Sequence, residues 1–170
     1  MDNSNLIAPE TYNIVNEIEK YAVDQTKEAI VFEDISGDVQ HITYSDLMKN
    51  ANKVGNVFKN NGLKKGDKIL ILMPRSIVTY EIYTAALKSG LIIIPSSEML
   101  RTKDLQHRIT HGEIDAVVSI SNSTNEFYNI KEYEQLTKFI VGDEEENWIP
   151  LDKEKADASE TLEVDKTKRD

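Results

Sequence analysis

The chain has 170 residues, 30 Asp and Glu against 20 Lys and Arg, a formal charge of −10 and no cysteine. Without thiols there is no disulfide scaffold, thiolate zinc site, cysteine nucleophile or CxxC redox pair, and the acidic balance argues against nucleic acid or an anionic membrane as a partner. With no basic-then-apolar leader in Met1–Glu10 and no run near the roughly 20 apolar residues of a membrane span, one soluble, cytoplasmic globular domain is expected. The first periodic segment is Tyr12–Tyr21, where Tyr12, Val15, Ile18 and Ala22 recur at helical spacing. Ala29–Glu33 and Val39–Tyr44 flank the turn signal Ser36-Gly37-Asp38 and read as a β-hairpin. A helix follows with Ser45 as N-cap and Leu47, Ala51, Val54 and Phe58 on one face, ended by Asn60-Asn61-Gly62. Lys68–Met73 is an almost unbroken aliphatic run, the pattern of an inner parallel strand buried on both faces.

After Pro74 the spacing predicts a helix over Ile77–Lys88, with Ile77, Tyr80, Thr84 and Leu87 inward and Gly90 as its stop. Leu91–Ile94 is a second aliphatic strand, ended by Pro95; Thr102–His111 is a helix with Leu105 and Ile109 inward. Ala116–Ile120 is a third strand, Asn125–Leu136 a weaker helix or turn, and Lys138–Val141 a fourth strand. This alternation predicts an α/β fold: an open, mainly parallel, doubly wound sheet with helices on both faces, preceded by a helix and a β-hairpin. Met1–Gly142 forms the α/β body. From Asp143 to Asp170, eleven acids face five bases, and the large apolar residues are only Trp148, Ile149, Leu151, Leu162 and Val164. Such a segment buries too little surface to order itself, so an acidic linker or loosely docked arm is expected.

Ligands of open parallel sheets bind beyond the carboxyl ends of the strands, which directs attention to Met73–Ser76, Pro95–Met99 and Ser119–Glu126. Arg75 stands beside a helix N-terminus, either as an anion partner or paired with a neighbouring acid such as Glu81. Ser96, Ser97 and Glu98 form a polar loop, either touching a ligand or serving as an ordinary crossover. No GxxxxGK[ST] or GxGxxG motif occurs, so neither type of complete nucleotide loop is present. The acid clusters of a receiver domain are missing too, with Met73 and Ile120 on the equivalent ground. His107 and His111 share a helical face but lack an obvious third ligand, so no metal site is assigned; His41 falls in the hairpin.

From Tyr44 to Ile109 the chain resembles the N-terminal part of the acyl-adenylate-forming enzymes, which comprise acyl-CoA synthetases, adenylation domains and luciferases. The resemblance is carried by Tyr44, Asp46 and Leu47; Gly62, Gly66 and Asp67; the Ile69–Met73 strand with Pro74; Ala86 and Gly90; Ile92–Pro95; and the Thr102–Ile109 helix. Met73-Pro74-Arg75, Ile94–Ser97 with Met99-Leu100, and Asp104-Leu105 with Arg108-Ile109 look most like the short- and medium-chain acyl-CoA synthetase branch. The resemblance implies that a carboxylate attacks ATP with Mg²⁺ to give acyl-adenylate and pyrophosphate, after which coenzyme A displaces AMP. It also implies that Ser97, Glu98 and Met99 form a loop near coenzyme A, at a place where acetyl-CoA synthetases carry glycines. No Arg or Lys lies between Arg108 and Lys131, so the arginines that some relatives direct at coenzyme A phosphates have no counterpart there. Members of the family are about three times as long, and their Ser/Thr/Gly-rich phosphate loop and catalytic lysine do not occur here. The chain is therefore expected to be the inactive opening portion of such a ligase, binding no cofactor alone and self-associating through exposed sheet surface; the alternative is a stand-alone, non-catalytic α/β binding module.

Overall fold

The computed structural model describes residues 9–168. Eight of the ten residues read for a leader, and Arg169 and Asp170 of the acidic segment, lie outside the described residues. The elements are α1 (Val15–Ala22), β1 (Glu28–Glu33), β2 (Val39–Thr43), α2 (Tyr44–Asn60), β3 (Lys68–Leu72), α3 (Ile77–Lys88), β4 (Ile92–Ser96), α4 (Thr102–Gly112), β5 (Ala116–Ile120), β6 (Thr137–Val141), β7 (Ile149–Pro150) and α5 (Leu151–Ala156). β1 and β2 pair antiparallel as a separate hairpin. The other five strands form one parallel sheet in the order β4-β3-β5-β6-β7.

The aliphatic run makes β3 an inner strand because both of its faces are covered. Ile69, Ile71 and Met73 join Val54, Phe58, Ile82 and Ala86 of α2 and α3 on one side. Leu70 and Leu72 join Leu105 and Ile109 of α4, together with Phe127 and Trp148, on the other. Period-2 alternation thus divides a continuous apolar sequence between two cores. From β3 the chain passes through α3 to β4 on one side, then through α4 to β5 on the other. The reversal leaves a topological switch point between the carboxyl ends of β3 and β5, where such sheets hold ligands.

Several expectations change in detail. α1 starts at Val15 rather than Tyr12. α2 begins one residue before Ser45 and is capped by Thr43, whose hydroxyl oxygen accepts from the Asp46 N–H while its own hydrogen goes to the Asp46 carboxylate. In α3 Thr84 is buried as expected, but its inward neighbours are Ile82, Ala85 and Ala86, whereas Tyr80 and Leu87 are exposed. Its mostly apolar sequence gives little rotational preference, and the small residues face α2 and the sheet because they permit close approach. β4 runs through Pro95 to Ser96, because an edge strand can spare one ladder donor. Asn125–Leu136 resolves into 3-10 turns at Ser121–Glu126 and Tyr133–Gln135.

The largest correction concerns the acidic segment. Residues 143–168 dock on the body instead of trailing as a loose arm. β7 extends the sheet beside β6, Leu151 is buried in the α2/α3 core and Trp148 in the α4 core. Few apolar residues suffice because they fall at the two seams; full burial of a leucine side chain contributes about 1.5–3 kcal/mol. Polar side chains of α2 satisfy the backbone of the rest: Asn52 Nδ2 donates to Glu160 O at 2.7 Å, and Asn56 Nδ2 to Ser159 O and Thr161 O at 2.9 Å.

Candidate functional site

Register fixes which loops share an edge. Leu72 lies opposite Ser96 on one side and Ser119 on the other. The connections Met73–Ser76, Ser97–Arg101 and Ser121–Glu126 therefore leave from neighbouring positions at the carboxyl end of the sheet. This brings together the segments selected from the sequence.

Arg75 is exposed at the mouth of the switch point. The helix end beside it is already occupied: the Ser76 hydroxyl accepts from the Thr79 N–H at 3.2 Å, and the Thr79 hydroxyl donates to Pro74 O at 2.7 Å. Glu81 is not its counter-ion. That carboxylate is buried between helices, where it accepts from Asn50 Nδ2 at 2.6 Å and pairs with Lys155 Nζ at 2.5 Å. Among the described residues Arg75 has no ion pair, so its guanidinium faces solvent.

Ser97, Glu98 and Met99 are all exposed at the tip of the next loop. The Ser97 hydroxyl accepts from the Met99 N–H at 3.2 Å and the Ser97 carbonyl from the Leu100 N–H at 3.1 Å, which closes a compact turn before α4. Ser96 points to the opposite side from Ser97, toward the α4 core with its register partner Leu72, and its hydroxyl is buried without a hydrogen-bond partner.

The structure adds a residue that sequence reading did not single out by role. Glu126 accepts from both the backbone N–H of Thr102, at 2.8 Å, and its hydroxyl, at 2.7 Å, with Arg101 Nη1 at 3.5 Å. The Thr102 hydroxyl, then its N–H, and to a smaller extent the Arg101 charge hold the Glu126 carboxyl below the ordinary glutamate range. Glu132 acts one turn and more further along, accepting from Gln106 at 2.6 Å and Thr110 at 2.8 Å, which depress its pKa in the same way. The detectable signal was negative: α4 is preceded by Arg101, which supplies no side-chain cap, so the cap had to come from elsewhere. His107 and His111 stack with centroids 5.6 Å apart, and among the described residues no three His, Cys, Asp or Glu side chains gather as metal ligands. His41 pairs with Glu28 across the hairpin.

The edge thus presents a free guanidinium, a closed polar turn and a helix whose start is fixed by a carboxylate. A comparison with known proteins gives this arrangement a context. The model of a family described as AMP-binding enzyme matches residues 19–170. The acyl-CoA ligase YtcI of Bacillus subtilis (strain 168), itself uncharacterized, is 38% identical over 170 residues, covering 100% of this chain and 32% of that protein. A 4-hydroxybutyrate-CoA ligase of Metallosphaera sedula is 24% identical over 134 residues, covering 78% of this chain and 24% of its own length. The crystal structure of an acyl-CoA synthetase from Brucella canis has the same fold, with a TM-score of 0.88 at 20% identity over 99% of this chain and 32% of that one. The chain spans between about a quarter and a third of the length of these relatives.

Proposed function

Since the chain belongs to the AMP-binding enzyme family, we propose that it is the opening α/β portion of an ATP-dependent acyl-CoA ligase. The whole protein joins a short- or medium-chain carboxylate to coenzyme A in two steps. The carboxylate oxygen attacks the α-phosphorus of ATP with Mg²⁺ and expels pyrophosphate; the coenzyme A sulfur then attacks the acyl carbon and expels AMP. AMP is a far better leaving group than hydroxide, so the protein's work is positioning and charge neutralisation. The observation that supports this reading best is the family match across almost the entire chain, coincident with a strand order that has its topological switch point between β3 and β5.

In this portion the roles are auxiliary. Ser97, Glu98 and Met99 form a turn beside coenzyme A, and Arg75 meets an anionic group of a substrate at the crevice mouth. Neither performs bond chemistry, so the 170-residue chain alone is inactive. The test is carboxylate-dependent exchange of pyrophosphate into ATP. The full ligase is expected to catalyse it with a short or medium acid, and the chain alone to show none; absence of exchange by the full ligase across that acid series refutes the assignment. The exposed apolar Ile92 on the β4 edge, at 50% accessibility, supports self-association of the isolated chain through that unpaired edge. Light scattering is expected to give a mass above the monomer at high concentration, and a monomer at every concentration refutes it.

A further inference from the structure

α4 runs back from the carboxyl edge of the sheet, and its second half carries two imidazoles. His107 and His111 stand one helical turn apart, so their side chains share a face. The helix beneath them is fixed on its other sides. Leu105 and Ile109 are buried in the α4 core, and Gln106 and Thr110 are tied to the Glu132 carboxylate at 2.6 and 2.8 Å. With those sides occupied the histidine stripe is turned away from the body, and both imidazoles are exposed.

The two rings lie nearly parallel, with 6° between their planes and centroids 5.6 Å apart. Bonds of about 2.0–2.1 Å from one metal ion to two imidazole nitrogens require those nitrogens to stand about 3 Å apart. Turning two exposed rings about their own side-chain bonds closes that gap without moving the backbone. Among the described residues His41 pairs with Glu28, whereas neither α4 imidazole has an ion pair, so no partner has to be displaced first. Charge alone does not draw a cation to this stripe: Lys103 and Arg108 flank it, and Asp104 is the one carboxylate of α4. Oxygen-seeking ions such as Mg²⁺ and Ca²⁺ are therefore poorly served, while an ion that prefers imidazole meets two donors at once.

We infer that His107 and His111 form a two-point site for a divalent transition-metal ion, binding Cu²⁺ more tightly than Zn²⁺, with water in the remaining positions. The rigid turn sets the second imidazole beside a metal held by the first, and this proximity supplies most of the affinity. A bound ion ties the last two turns of α4 together and stabilises the folded chain by mass action. The site stands apart from the ligase reading and needs no third protein ligand.

The chain has three histidines, so His41 serves as an internal control. Cu²⁺ is titrated into the full chain by NMR, where paramagnetic broadening reports each ring, and Zn²⁺ by calorimetry. The His107 and His111 ring signals are expected to broaden together at a Cu²⁺ concentration roughly a hundredfold below that affecting His41. His107→Gln and His111→Gln are each expected to weaken Zn²⁺ binding about a hundredfold, as far as the double variant does, because a chelate loses its advantage with either donor. Lys103→His in the His111→Gln background rebuilds the four-residue spacing with His107 and should restore most of the affinity. These positions are all exposed, and unchanged melting in EDTA separates a lost ligand from a lost fold. Absence of Zn²⁺-dependent heat overturns the inference. So do single-variant losses that add up in the double variant, broadening of His41 at the same Cu²⁺ concentration, or a Lys103→His change that restores nothing.

Discussion

Among the described residues Lys88 is the most deeply buried lysine, with 2% of its side chain accessible, and its counter-ion Glu19 reaches it from α1 with 37% accessibility. Removing the acid alone leaves a cation that has already lost its water. Breaking a buried pair in this way costs about 3–5 kcal/mol, and the partial exposure of Glu19 gives the ammonium a path to solvent that places Glu19→Gln at the lower end, about 3 kcal/mol. Such a loss lowers the folding equilibrium constant by roughly a hundredfold. Lys88→Met removes the buried charge and keeps the stem volume, while the remaining Glu19 turns to water, so a cost under about 1 kcal/mol is expected. The double variant should therefore be more stable than Glu19→Gln alone, giving a coupling of about 2 kcal/mol in a double-mutant cycle by urea denaturation at constant m-value. If Lys88→Met proves as damaging as Glu19→Gln, the stability resides in the pair itself and the desolvation argument fails.

Other expectations follow from the same geometry. Leu151→Ala opens a void in the α2/α3 core and should cost about 3 kcal/mol by denaturation; a loss under about 0.5 kcal/mol would return the acidic segment to a loose arm. Because the Glu126 pKa is depressed, mainly by the Thr102 hydroxyl and N–H, its support of α4 is complete above the unfolded-state pKa and is lost as pH falls through the lower folded value. The Thr102 amide resonance should report that transition below the ordinary glutamate range and lose it in Glu126→Gln; a midpoint in the ordinary range contradicts the cap. Ile92→Lys places a charge on the exposed β4 edge and should shift self-association toward monomer in light scattering with little change in stability; persistence of the larger species would move the contact elsewhere.

Sheet, helices and their order are legible in the sequence because the signals are local. Four aliphatic residues in a row at Ile69–Leu72, or Leu105 and Ile109 four apart, state their element within one or two turns of chain. The orientation of α3 was not legible for the opposite reason. Ile77–Lys88 carries apolar residues on every side and buries polar ones, so periodicity assigns no inner face, and only contact with α2 and the sheet selects Ile82, Ala85 and Ala86. The acidic segment fails differently again. Counting its apolar residues measures whether it could fold alone, whereas Trp148 and Leu151 contribute by filling gaps in two cores that others build.

The edge that holds the candidate site shows the same division. Its location follows from strand order, and strand order was readable from alternation; the loops at Arg75, Ser97–Met99 and Ser121–Glu126 were found for that reason. What each residue does there depends on pairings separated by tens of positions, as Glu126 with Thr102 at 24 and Glu81 with Lys155 at 74. An acid and a base on exposed helix faces and the same two residues in a buried clamp have one composition and different surroundings. Burial is what removes Glu81 from the reach of Arg75. Among the described residues the guanidinium is left without an ion-pair partner at the carboxyl end of β3, because the one neighbouring acid in sequence is held elsewhere.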